Sequence, residues 1–219
     1  MMVEILNPSS QEFILDPACG SGGFLIVALG YVWQRIDEEG KRKNWSTVNT
    51  ERKKIEVASK YFYGIDKDSF LSKVTKADMA LVGDGKGGIF CVNSLKKPLV
   101  WENMISGKIK LNSFDVVITN PPFGSKITVR GEDILSQYDL ARVWKKDGIS
   151  GKWKKTDKLR DKQAPQILFI ERCIQLLKPK GRLGIILPES LFGNYYYARR
   201  VFKRSSNFSL IHFLNFVIR

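Results

Sequence analysis

"EFILDPACGSGGFLIVALGYVWQR", residues Glu12–Arg35, is the stretch that decides the fold. Glu12–Asp16 reads as a short strand, and Gly22–Arg35 as a helix that opens on small residues. Between them, Gly20, Gly22 and Gly23 let the backbone turn sharply and approach a ligand closely. A strand, a glycine loop and a helix make the first unit of a doubly wound sheet. Such sheets bind ligands just outside the carboxyl ends of their strands.

Outward from that unit, strand-like and helix-like stretches alternate. Tyr61–Asp66 (YFYGID) is strand-like and ends in an acid, and Ser69–Val82 is helical. Gly83–Gly88 is a loop, Ile89–Val92 a short strand, and Phe114–Thr119 (FDVVIT) a buried strand by its continuous apolar run. After Pro165, Ile167, Ile170, Ile174 and Leu177 follow helical spacing, and "KPKG" is expected to end that helix. Arg182–Leu187 reads as a strand, Tyr196–Ser205 as a helix and Leu210–Asn215 as a last strand. The expected fold class is α/β, a doubly wound, mostly parallel sheet covered on both faces. One domain over residues 1–219 accounts for the length.

Two segments interrupt the alternation. Glu38–Lys60 reads as a polar, basic surface insert followed by a helix. Residues 124–164 read as a long basic loop, with nine Lys/Arg and three Asp between Ala141 and Gln163. Trp144 and Trp153 sit among those cations. The loop either contacts phosphates and stacks on nucleic acid, or is a solvated, mobile surface.

The first candidate site is Asp16–Phe24. The glycine spacing departs from GxGxxG, and Asp16 adds negative charge where a pyrophosphate would sit. No GKS or GKT ends the loop, so it is not a P-loop either. An acid beside exposed backbone suits a ligand with an ammonium and no phosphate, and S-adenosylmethionine is such a ligand. The alternative is a structural glycine turn. Asp66 either takes both hydroxyls of a ribose or caps the helix that follows.

The second candidate site is "VVITNPPFGSK", Val116–Lys126. Pro121 and Pro122 remove two backbone donors and fix two φ angles, which makes a stiff corner after a strand. The Asn120 side-chain oxygen and the Pro121 carbonyl are two neighbouring acceptors that fit one planar NH₂ group. Phe123 offers a ring on which a flat heterocycle stacks, worth about 1–3 kcal/mol. Acceptors on both amine hydrogens draw the nitrogen lone pair out of conjugation and steady the charge that grows as it attacks a methyl group. The plain alternative is a rigid loop without chemistry.

The global numbers are consistent with a nucleic-acid partner. The net charge is +14, with 36 Lys/Arg against 22 Asp/Glu. No apolar run approaches the roughly 18–20 residues of a membrane span, so no membrane partner is expected. Cys19, Cys91 and Cys173 are scattered and odd in number, which argues against a disulfide framework or metal knuckle and for a reducing cytoplasm. No metal is expected. His212, in "LIHFLNF", is read as a strand residue and not a ligand or base.

Taken together, DPACGSGGFL, NPPF about a hundred residues later, and "FIERCIQLLKPKGRLGIILPESLF" resemble a class γ N6-adenine DNA methyltransferase. The nearest likeness is the modification (M) subunit of type I restriction-modification systems. The resemblance implies a Rossmann-like fold with S-adenosylmethionine as cofactor and the N6 amine of adenine in DNA as acceptor. By the same likeness Asp16, Ala18, Gly20 and Gly22 shape the methionine pocket, and Asp66 binds the ribose. Asn93 in "VNSL" lies near the cofactor's adenine, with Asp84 in "GDG" as its rival. Asn120, Pro121, Pro122 and Phe123 are the catalytic motif, and base flipping is implied. Expected partners are DNA, a specificity subunit, a restriction subunit and a second M subunit.

The chain departs from the family in three ways: there is no aromatic-Thr-Pro upstream of Asp16, no helical N-terminal domain and no C-terminal region. It is therefore read as the catalytic core of a longer subunit. Rival readings are a methyltransferase acting on an RNA base or a protein glutamine amide, and an inert DNA-binding or assembly fragment.

Overall fold

The computed structural model describes residues 1–82, 88–101, 103–124, 127–151, 153–191 and 210–214. In chain order its elements are α1 (Met2–Leu6), β1 (Ile14–Asp16), α2 (Gly23–Arg42), α3 (Thr47–Tyr61), β2 (Phe62–Asp66), α4 (Ser69–Leu81), β3 (Ile89–Cys91), α5 (Asn103–Lys108) and β4 (Phe114–Thr119). There follow α6 (Glu132–Leu135), β5 (Arg142–Lys146), β6 (Trp153–Leu159), α7 (Pro165–Leu176), β7 (Leu177–Ile186) and β8 (Leu210–Leu214).

Six strands form one sheet in the order β3-β2-β1-β4-β7-β8, and every neighbouring pair is parallel. Strands β1, β2 and β4 are buried on both sides, so alternate residues serve two cores. Ile14, Phe62, Val116 and Ile118 face a cluster with Leu25, Leu29, Val32 and Ile36 of α2, Val57 of α3 and Met79 of α4. Leu15, Tyr63, Ile65, Val117 and Leu183 face the other cluster, with Ile105 of α5 and Ile167, Ile170 and Ile174 of α7. That double burial is why the strands read as apolar runs without alternation.

The strand order turns back at β1 and β4. The chain moves outward from β1 through β2 to β3, then returns to β4 on β1's other side. The register Ile14↔Val116 and Leu15↔Val117 brings the ends of these two strands together. That switch point is where an open α/β sheet leaves a crevice.

Several elements differ from their sequence-based expectation. Helix α2 continues to Arg42, past Arg35, because Ile36 and Gly40 extend its buried stripe while Glu38, Lys41 and Arg42 supply the wet face. Only residues 43–46 separate it from α3, which Ser46 caps through the Asn49 amide at 3.3 Å. "KPKG" does not end α7 alone; it lies in β7, in a bulge between the pairs Phe114↔Leu177 and Val116↔Arg182. Lys178 is held there by the Asp115 carboxylate at 2.9 Å. The described residues of 124–164 are not an irregular loop: they contain α6 and an antiparallel hairpin, β5–β6. The expected helix Tyr196–Ser205 lies outside the described residues, and His212 lies in β8.

Candidate functional site

The switch point is built around Asp16, the last residue of β1. Asp16 is 1% exposed. Its Oδ1 accepts from the Ala18 amide at 3.0 Å and from the Thr119 hydroxyl, at the end of β4, at 2.7 Å. Burial pushes its carboxyl up to about 7, against those two hydrogen bonds, and the nearby Asp66 charge adds to the rise. A buried acid in this state ionises readily once a cation arrives beside it.

The glycine loop is folded by its own hydrogen bonds. The Cys19 amide donates to the Ile65 carbonyl at 2.9 Å, and the Gly22 amide to the Cys19 carbonyl at 2.8 Å. The Gly20 amide donates to Asp66 Oδ2 at 2.9 Å, and the Thr75 hydroxyl of α4 donates to the Gly20 carbonyl at 2.6 Å. Gly20 and Gly22 sit at φ +54° and +86°, in the left-handed region. A Cβ on Gly22 would stand 2.8 Å from Thr75 Cγ2, whereas one on Gly20 would meet nothing within 4 Å. The backbone at Gly20 therefore faces open space.

Asp66 ends β2, and Asp68 is the residue that caps α4, accepting from the Phe70 and Leu71 amides at 2.8 and 3.1 Å. Asp66 instead receives Gly20 on one oxygen and the Asp68 amide, at 2.9 Å, on the other. Each carboxylate oxygen keeps acceptor capacity. Asn93 follows β3, and its side-chain oxygen accepts from the Leu95 amide at 3.0 Å. The Ser94 hydroxyl donates to the Pro17 carbonyl, which ties this loop to the loop after β1. Asp84 lies outside the described residues.

The NPPF corner leaves β4 directly after Thr119. Pro121 is buried, Phe123 half-buried, and Asn120 and Pro122 exposed. The structure thus brings Asp16, Ala18, Gly20, Gly22, Asp66 and Asn93 into one hydrogen-bonded edge, and Thr119 joins that edge to the corner. Among the described residues no His/Cys/Asp/Glu cluster is suited to a metal.

Sequence reasoning missed Arg172. It lies in α7 and is 1% exposed. Its guanidinium donates to the Leu95 and Lys96 carbonyls at 3.3 and 3.1 Å, to Gln137 Oε1 at 2.7 Å and to the Tyr138 hydroxyl at 3.0 Å. It also stacks on the Tyr138 ring, 5.1 Å from the centroid. Arg172 therefore fastens the segment after Asn93 to α7. The available signal was an Arg inside an apolar helix, where a charge persists only if its donors find partners.

The chain is 28% identical over 195 residues to the type I restriction enzyme EcoEI methylase subunit of Escherichia coli, covering 88% of the chain and 31% of that subunit. It is 23% identical over 190 residues to the type II restriction enzyme and methyltransferase RM.BcgI of Heyndrickxia coagulans, covering 87% of the chain and 22% of that protein. The chain thus spans about a third or less of the length of these relatives. A solved modification subunit of a putative type I restriction enzyme from Vibrio vulnificus shares the fold, with TM-score 0.61 and 21% identity over 93% of the chain and 36% of that subunit. Among the described residues no helix is long and apolar enough to cross a membrane. The family model for N-6 DNA Methylase matches residues 1–197, and the chain belongs to that family.

Proposed function

We propose that this chain transfers a methyl group from S-adenosylmethionine to the N6 amine of adenine in DNA, as the catalytic core of a type I modification subunit. One observation carries the reading most. The Thr119–Asp16 hydrogen bond, 2.7 Å across β1 and β4, sets the NPPF corner beside the acid and glycine loop. Donor site and acceptor site then share one crevice.

The residues fit the cofactor. Asp16 is a buried acid with no described cation bonded to it, and it suits the methionine ammonium. Ala18, Gly20 and Gly22 shape the hollow, and the free acceptor capacity of Asp66 suits ribose hydroxyls. Asn93 would lie near the cofactor's adenine, with Asp84, outside the described residues, as its rival for that role. When bound, S-adenosylmethionine supplies an electrophilic sulfonium methyl. At the corner, Asn120 Oδ1 and the Pro121 carbonyl hold the two amine hydrogens of a flipped adenine. Phe123 stacks on the purine, and the prolines keep both acceptors from swinging away. With the cofactor in place, the amine held by Asn120 and Pro121 would take the methyl group with its own lone pair, the sulfur would leave as a neutral thioether, and the amine would give up a proton to solvent. The two acceptors steady the positive charge in between.

The relatives' names, a methylase subunit and a modification subunit of type I restriction enzymes, support a place in a restriction-modification assembly. Its proposed partners are a specificity subunit, a restriction subunit and a second modification subunit, and its proposed location is the cytoplasm. The test is methyl transfer from labelled S-adenosylmethionine to DNA, with and without a candidate specificity subunit. Label on adenine N6 supports the proposal. Label on RNA or on a glutamine amide, or no label in any mixture, overturns it.

A further inference from the structure

The β5–β6 hairpin is the largest feature that the proposed chemistry leaves unused. Both its ends are fastened at the crevice edge of the sheet. Val129, five residues beyond Gly124, exchanges two backbone hydrogen bonds with Gln163, at 2.8 and 3.0 Å. Gln163 in turn donates to the Leu140 carbonyl at 2.7 Å. Glu171 of α7 accepts the Asp139 and Leu140 amides at 3.0 and 2.8 Å. Leu159, at the end of β6, packs on a cluster of Leu95, Leu135, Tyr138 and Phe169, against which Ala18 of the glycine loop also packs. The hairpin therefore rises from the same edge that carries both candidate sites.

Its two faces differ. Trp144 donates its indole N–H to the Asp139 carbonyl at 2.9 Å, and Lys155 pairs with the Asp139 carboxylate at 2.7 Å. The base of that face is tied down through Asp139, so Trp144 is an anchor and not a free stacking platform, whereas Lys146 and Trp153, paired nearer the turn, are exposed. Lys145 and Lys154 lie on the other face, and Lys158 follows on β6, in the stretch where the pairing shifts register between Trp144↔Lys155 and Arg142↔Leu159. Lys145 and Lys154 are directly opposed across the ladder, and all three lysines are exposed. Like charges directly opposite destabilise a hairpin. The acid paired with this face is Asp147, at 2.6 Å from Lys154, and that pair is a solvated one of small worth. Lys145 and Lys158 make no ion pair among the described residues.

A face with three lysines and little apolar surface does not serve a protein core. It suits a ladder of anions. Lys154 and Lys158 are four residues apart, at most about 13 Å along the strand, since the pairing shifts register between them. That reach covers about four nucleotide steps at ~3.4 Å per step.

We propose that the β5–β6 hairpin is a phosphate clamp, in which Lys145, Lys154 and Lys158 grip the backbone of duplex DNA beside the adenine held at the NPPF corner. The choice of duplex DNA as the polyanion rests on the proposed function; the clamp itself rests on the hairpin's register and anchorage.

The test uses the full chain, a short fluorescent duplex and a salt series. Removing one lysine–phosphate pair should flatten the slope of log K against log[salt] by about 0.9. The triple variant Lys145→Ala/Lys154→Ala/Lys158→Ala should therefore lower the slope by about 2.7 and weaken binding tenfold or more near ~0.1 M salt. S-adenosylmethionine affinity and melting temperature should stay unchanged, because these side chains are solvated. A control triple on α2 and α3, Lys41→Ala/Arg42→Ala/Lys60→Ala, removes the same charge elsewhere and should move the slope far less. An unchanged slope in the hairpin triple, or an equal change in the control, overturns the clamp even where methyl transfer succeeds. A large, hairpin-specific change supports it even where methyl transfer fails. Tighter, hairpin-dependent binding of single-stranded RNA than of the duplex overturns the assignment to DNA.

Discussion

The loops that follow β1 and β4 leave adjacent strands at the same edge, yet they are held in opposite ways. In the loop after β1, Asp16, Ala18, Gly20, Gly22 and, across in β2, Asp66 are each tied by a hydrogen bond within the protein. Among the described residues the corner after β4 has no such web: Asn120 is exposed, no described residue hydrogen-bonds to its side chain, and the stiffness comes from Pro121 and Pro122. One loop is organised by hydrogen bonds to its neighbours, the other by covalent rings. A binding site gains from the first, since it must present several groups at fixed distances. The corner proposed as catalytic would gain from the second, since its acceptors would stay unpaired for the incoming amine.

If that contrast is right, substitutions in the two loops separate turnover from cofactor binding. The largest effect belongs to Asn120→Ala, which should cut methyl transfer on the order of 100-fold or more. Its affinity for S-adenosylmethionine in calorimetry should stay within about twofold, since this side chain takes no part in the β1 web. Transfer at the normal rate by this variant would sink the corner as the reacting site.

Next is Asp66→Ala. It removes the acceptor of Gly20 and, on the proposed function, the ribose ligand together, a charge-assisted loss of about 1.5–3 kcal/mol. That corresponds to S-adenosylmethionine binding weakened roughly 10- to 100-fold. Calorimetry in which this variant binds normally would remove Asp66 from the cofactor site.

A third, smaller effect is set by pH through Asp16. Its carboxyl is raised from 3.8 to about 7 by burial. The folded state without ligand holds this proton more tightly than the unfolded chain does. Its stability is therefore greatest below the unfolded value and falls as pH rises from 3.8 to about 7. On the proposed function, cofactor binding would have the opposite sign, because the methionine ammonium would need the ionised acid. Affinity should rise about tenfold between roughly pH 6 and 8. Asp16→Asn should flatten both profiles, and a variant that keeps the slopes would show that another group titrates.

The smallest effect belongs to the bridge between the loops. Thr119→Val should cost about 1 kcal/mol in stability and a few-fold in transfer, through loss of one neutral-to-acid hydrogen bond. Thr119→Ser, which keeps the hydroxyl, should recover most of it in denaturant melts and labelled transfer assays.

Much of the fold was legible because local chemistry repeats the global plan. The glycine run after "FILD" needs left-handed backbone, the continuous apolar runs need double burial, and NPPF needs a rigid exit from a strand. Those requirements act within a few residues, so "DPACGSGG", Asp66 and NPPF could be located by inspection. The hairpin at 142–159 was hidden because it is wet on one face and anchored through backbone atoms and Asp139 on the other. Its strands therefore lack an alternation of apolar and polar residues. "KPKG" misled for a related reason: the turn it encodes is absorbed as a bulge once Asp115 holds Lys178.

By itself, then, the amino-acid order determined the α/β class, the glycine loop, the acid at the end of each of the first two strands and the proline-stiffened corner. Tertiary structure alone decided that Asp16 and Thr119 meet, that Asp68 and not Asp66 caps α4, that Arg172 fastens the Asn93 segment, and which face of the hairpin is free. The physical reason is range. Backbone preference and apolar spacing are written in neighbouring residues, whereas a hydrogen bond between positions 16 and 119 exists only after the sheet has set its register.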